Sequence, residues 1–171
     1  EIEGMRSVGP ATLPGWADVD PVELTGAATG EPVTLENDAT AAAVGERLYG
    51  AGRQFSNFCF VYFGAGLGLG VIQDGRPLRG AFGNAGEIGH IGIVPRGGTG
   101  SYGPDGALER FVSLYALRMR LSEAGRPNRF DDLHTLMSEG DTVLAGGVKE
   151  ATGYLDPAVA LLENSFEPDT G

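Results

Sequence analysis

The chain has 171 residues, 42% of them hydrophobic and 20% charged, and a formal net charge of −11 at pH 7. That length makes one good domain or two small lobes. The acidic balance speaks against this stretch holding a nucleic-acid backbone by itself. Its single cysteine, Cys59, offers no disulfide framework, which points to a reducing, cytoplasmic setting. No apolar run approaches the length of a membrane span. The 29 glycines follow no collagen-like period, so tight turns and close backbone approaches are expected. The chain starts at Glu1 rather than Met and stops just after FEPD; both ends read as cuts through something larger.

Prolines at 10, 14, 21 and 32 punctuate the first stretch, predicting loops around one short helix over 21–29. Trp16, in LPGW, is a surface anchor or a small core plug. The apolar run 33–35 predicts a short strand, and ATAAAVGERLY at 39–49 predicts a helix with Gly50 as its C-cap. Asn37 and Asp38 fall where strand gives way to helix, and capping alone is a sufficient reason for either residue.

Residues 57–63 are strongly β-prone and predict a central strand buried on both faces, with Cys59 inside it. The glycine ladder 64–70 follows, then Val71-Ile72 and Asp74-Gly75, a strong two-residue hairpin signal. A dinucleotide fingerprint needs a helix after its glycines. Here another strand follows, so the Rossmann reading fails. A glycine turn between antiparallel strands can present amides to a phosphate, or serve packing alone.

Residues 91–94 predict a short strand and 95–106 a glycine- and proline-rich loop. The clearest helix is predicted over 108–124, with Leu108, Phe111, Val112, Tyr115 and Met119 near helical spacing and Gly125 ending it. Glu109 falls in its first turn, where a carboxylate suits the helix dipole. Further helices are predicted over 130–138, with His134 on the surface, and over 141–165, broken near Asp156-Pro157.

The stretch most suggestive of chemistry is GNAGEIGH at 83–90. Small neighbours let a ligand approach the backbone, while Glu87 and His90 supply an acceptor and a switchable donor or acceptor. Together with Asn37, Asp38 and Glu109 they form the set a polyol requires, because each sugar hydroxyl both donates and accepts.

LENDATAAAVGE, FGAGLGLGVIQDG, GNAGEIGH and GPDGALE, in that order, resemble the ROK family of bacterial sugar kinases and sugar-responsive repressors. The resemblance covers most of residues 33–113, and the helical remainder matches in pattern only. It implies a partial α/β, actin-like ATPase (ribonuclease H-like) fold in two lobes with the sugar between them. Residues 1–50 would end the N-terminal lobe and carry the Asn-Asp motif; 51–171 would form the C-terminal lobe. It also implies that Asn37, Asp38, Glu87, His90 and Glu109 contact a hexose or hexosamine, with Asp38 the catalytic base in a kinase. Gly64, Ala65 and Gly66 match the second phosphate-binding loop. ATP and magnesium follow only for a kinase, DNA only through a domain outside this chain, and homo-oligomers are common in the family.

Two departures stand out. The family's zinc knuckle uses one His and three Cys; here His90 is kept, but the cysteine positions hold Gly100, Tyr102 and Ala107. Zinc is therefore not expected, and packing by Tyr102 is one way to hold the loop instead. Ala65 replaces the Thr usual in the kinases. Both changes, with the TLPGW lead-in and the FGAGLGLG variant, favour a transcriptional regulator. The intact Asp38, Glu87, His90 and Glu109 set favours an ATP-dependent hexose kinase.

Overall fold

The structure, a computed structural model, describes residues 19–100 and 103–169. Trp16 and Tyr102 lie outside the described residues, and so do the expectations attached to them. In chain order, helix α1 spans Pro21–Thr29, α2 Asp38–Tyr49, strand β1 Phe58–Phe63, β2 Leu67–Gln73 and β3 Arg76–Pro77. Helices α3 (Leu114–Glu123), α4 (Phe130–Ser138) and α5 (Thr142–Phe166) complete the chain.

The strands form one antiparallel sheet in the order β1-β2-β3. Period-2 alternation assigns the two faces of β2. Leu67, Leu69 and Val71 point to a core shared with Ile88, Leu108, Val112 and two α5 residues, Ala151 and Leu162. Gly68 and Gly70 point the other way, towards α2. A Cβ on Gly70 would stand 2.4 Å from the Ala39 carbonyl oxygen and 2.5 Å from the Ala43 Cβ. The ladder therefore lets a helix lie directly on the middle strand. A second apolar cluster, Leu117, Leu121 and Leu144, locks α3 to α5.

Several elements follow their sequence signals. Asp20 caps α1 by accepting from the Val22 and Glu23 amides at 2.9 and 3.1 Å. Asp74 and Gly75 take φ of 50° and 73°, the paired positive values of a tight hairpin turn.

Others differ, each for a physical reason. Residues 33–35 form no strand; Val33 lies against Gly26 of α1 instead. The 57–63 run makes an edge strand rather than a central one, and its last residues, Tyr62 and Phe63, are exposed. Cys59 is accordingly half-buried. Gly50 does cap α2, in an extended conformation with φ −104°, and the Glu46 carboxylate fills the space a Cβ would need. Residues 91–94 give only a bridge, Gly92 to Ala107.

The helix predicted over 108–124 divides. Leu108–Arg110 is a 3-10 turn, and α3 begins only after Ser113, whose hydroxyl accepts from the Ala116 amide at 3.0 Å. That local cap outcompetes continuation of the helix. Conversely, α5 runs unbroken through Pro157. Pro157 and Gly153, whose carbonyl the proline leaves without its helical partner, both lie on the exposed face, where that oxygen is open to solvent.

Candidate functional site

The site forms where α2 begins, beside β2. Asn37 is the N-cap of α2: its Oδ1 accepts from the Thr40 amide at 3.1 Å, leaving the amide nitrogen to point outward. That Nδ2 donates to Glu87 Oε1 at 3.5 Å, across 50 residues of sequence. Glu87 Oε2 stands 3.7 Å from His90 Nδ1, with both side chains about half exposed. Asp38, the first residue of α2, is exposed, and its Oδ1 accepts from the Ala39 amide at 2.9 Å. An ion pair between Arg79 and Glu36 at 2.7 Å fastens the loop leading into GNAGEIGH beside Asn37. Nothing in the sequence joins residues 36 and 79, so this clamp is invisible before folding.

The glycines of GNAGEIGH let the motif lie on β2. Gly86 accepts the Leu69 amide at 3.0 Å, and a Cβ there would stand 2.0 Å from the Leu69 carbonyl oxygen. Gly89 lies against Leu67 and Glu109 in the same way.

Glu109 is only 9% exposed. A carboxylate so placed needs a donor, and its Oε2 accepts from the Leu67 amide at 2.9 Å. Its carboxyl group also packs against Gly66, where a Cβ would stand 2.7 Å from Oε2. Glu109 thus joins three pieces: the glycine turn, β2 and the 88–90 turn. It is more deeply covered than Glu87 or His90, and it belongs to a 3-10 turn rather than to the start of a helix.

In the turn between β1 and β2, the carbonyls of Gly64 and Ala65 accept from the Leu114 and Tyr115 amides at the start of α3, at 3.0 and 3.3 Å. The Ala65 and Gly66 amides make no hydrogen bond among the described residues. They are the groups available to an anion. All the polar residues singled out from the sequence therefore gather around one end of β2. Asn37, Glu87 and His90 form a direct chain of contacts, Asp38 adjoins it along α2, and Glu109 is linked to it through Gly89. An apolar groove of about 520 Å³ lies elsewhere, lined by residues including Phe58, Cys59, Val61 and Leu162.

The fold is part of the actin-like ATPase architecture, combining a short antiparallel sheet with helices on both faces. The crystal structure of a ROK family glucokinase from Streptomyces griseus superposes with a TM-score of 0.73 at 30% identity, over 86% of this chain and 53% of that one. The glucokinase of Halalkalibacterium halodurans is 31% identical over 91% of this chain and 52% of its own length. The xylose repressor of Bacillus subtilis is 30% identical over 77% of this chain and 34% of its own length. A profile of the ROK family matches residues 4–170. The chain belongs to the ROK family. It spans about half the length of the glucokinases and a third of the repressor.

Proposed function

We propose that this chain carries the sugar-binding face of a sugar-responsive, cytoplasmic transcriptional regulator, with a hexose or hexosamine as ligand. The observation that carries the reading is the Asn37–Glu87–His90 chain, in which groups far apart in sequence meet side by side and open to solvent. Such a row offers both donors and acceptors to hydroxyl groups and discriminates against analogues that lack them. Support also comes from the Streptomyces griseus glucokinase, solved in complex with glucose and AMPPNP, and from the repressors among the relatives.

Asp38 adds a further acceptor, and Glu109 holds the glycine turn against the site. Residues 1–50 would close one lobe and 51–171 form the other, with α2 seated on β2 where they meet. Sugar bound between the lobes favours one lobe arrangement. It shifts DNA affinity, through a separate domain, only by its differential affinity for the two states. The chain would act as a homo-oligomer.

A second reading, an ATP-dependent hexose kinase, is favoured by the exposure of Asp38. Among the described residues only Oδ1 is engaged, with the Ala39 amide, which leaves Oδ2 to take the proton of an attacking hydroxyl. The free Ala65 and Gly66 amides fit a phosphate group, and ATP with magnesium would supply the phosphoryl group. The two readings separate in the protein at its natural full length, assayed for phosphorylation across a sugar panel and for sugar-dependent DNA binding. The regulator shows no turnover and a sugar-dependent change in DNA affinity. Turnover abolished by Asp38→Asn replaces it with the kinase.

A further inference from the structure

The loop that follows His90 closes on the site without any donor set for a metal. Among the described residues no group of three or more His, Cys, Asp and Glu could hold an ion. The cysteine positions of the family's zinc knuckle give no thiolate here: Ala107 is fully buried, and Gly100 donates its amide to the Arg110 carbonyl at 3.0 Å. The chain's one thiol, Cys59, lines the apolar groove instead. Zinc does not fit these residues.

What closes the loop is Asp105. Its Oδ1 accepts the Gly97 amide at 2.9 Å and lies 4.0 Å from Arg110 Nη2. Gly97 in turn accepts the Gly106 amide at 3.2 Å, and Gly106 accepts the Ile93 amide at 3.0 Å. The loop is thereby pinned at both ends of its turn, and three glycines adapt it to the pieces it covers. Gly106 has φ +78°, and a Cβ there would stand 2.0 Å from the Val94 carbonyl oxygen. Gly98 lies on the Arg110 side chain. Gly103 lies on the imidazole edge, where a Cβ would stand 3.3 Å from His90 Cδ2. The loop therefore passes beside His90 at Gly103 and lies at Gly98 against Arg110, the residue next to Glu109.

We infer that Asp105 is a positioning residue: a carboxylate latch that holds the loop, and through it His90 and Glu109, in the place where a metal would otherwise do so. The inference rests on the sugar-site reading given above. Asp105 acts through its own partners, Gly97 and Arg110.

The test uses the protein at its natural full length, with Asp105→Ala and Asp105→Asn variants. Two readouts separate the latch from the sugar site. The His90 Cδ2–H resonance, read by NMR without sugar, moves and broadens in Asp105→Ala and moves less in Asp105→Asn, which keeps the acceptor for Gly97 but loses the charge facing Arg110. Hexose affinity by calorimetry falls about three- to tenfold in Asp105→Ala, and a chelator changes neither readout in the parent protein. Absence of hexose binding in the parent overturns the sugar-site reading and leaves the resonance test standing. An unmoved His90 resonance in both variants overturns the latch, and so does stoichiometric zinc whose removal shifts that resonance.

Discussion

Glu87 is the residue on which the site turns, because it links Asn37 to His90. Glu87→Gln keeps an acceptor but loses the charge, and should weaken sugar binding by about 1.5–3 kcal/mol, the worth of a charged hydrogen bond. Calorimetry reads the change directly, and an unchanged affinity removes Glu87 from the site. Asn37 shows why residue-level reading stops short. An Asn before a helix is explained by capping, and the structure does show it capping α2. The same side chain reaches Glu87 with its other end, so both readings hold at once. Glu109 carries the reverse lesson. Its place in the first turn of the predicted 108–124 helix suits the helix dipole, yet its carboxylate accepts from the Leu67 amide, a partner that no local pattern discloses.

Among the elements, those with strong local chemistry were legible. The helices at Pro21–Thr29 and Phe130–Ser138 coincide with their predicted bounds, and the Asp-Gly hairpin has the predicted geometry. Elements decided by packing were not. The glycine ladder reads equally well as a ligand turn or a packing device, and it divides along its length: Gly66 abuts Glu109, while Gly68 and Gly70 admit α2. Gly70→Ala should therefore destabilise the fold by about 1–3 kcal/mol through overpacking. Chemical denaturation measures that loss, and an unchanged midpoint would show that α2 does not rest on β2 as described.

The end of α5 is tied to the start of β1 by Asp169, whose carboxylate accepts from the Ser56 and Asn57 amides at 2.7 and 2.9 Å. The Asn57 hydrogen bonds, with that from Ser56, hold the Asp169 carboxyl below its usual range. A depressed folded value contributes stability above the ordinary carboxylate pKa, lost as pH falls through the depressed one. Asp169→Ala should accordingly lower the melting temperature at neutral pH. The gap to the parent should close in strong acid, as thermal scans across pH will show.

At the scale of the whole molecule, the sequence named candidate residues but not where they meet. The ordered motifs pointed to the family, and a ROK profile spans residues 4–170. Convergence, however, depends on α2 lying on β2 and on the Arg79–Glu36 clamp, long-range facts that periodicity cannot encode. The largest misreading, β1 as a central strand, has the same origin: an apolar run announces burial but not which neighbours provide it. Among the described residues no helix is long and apolar enough to cross a membrane.

The central claim is that side chains from two separate stretches close on one sugar, with Glu109 from a third supporting them. A crystal structure of the protein at its natural full length, grown with a hexose, tests it most directly. The account predicts sugar hydroxyls within hydrogen-bond distance of Asn37, Asp38, Glu87 and His90, with Glu109 behind them. Sugar held in the apolar groove between β1 and α5, with Glu87 and His90 untouched, would contradict it.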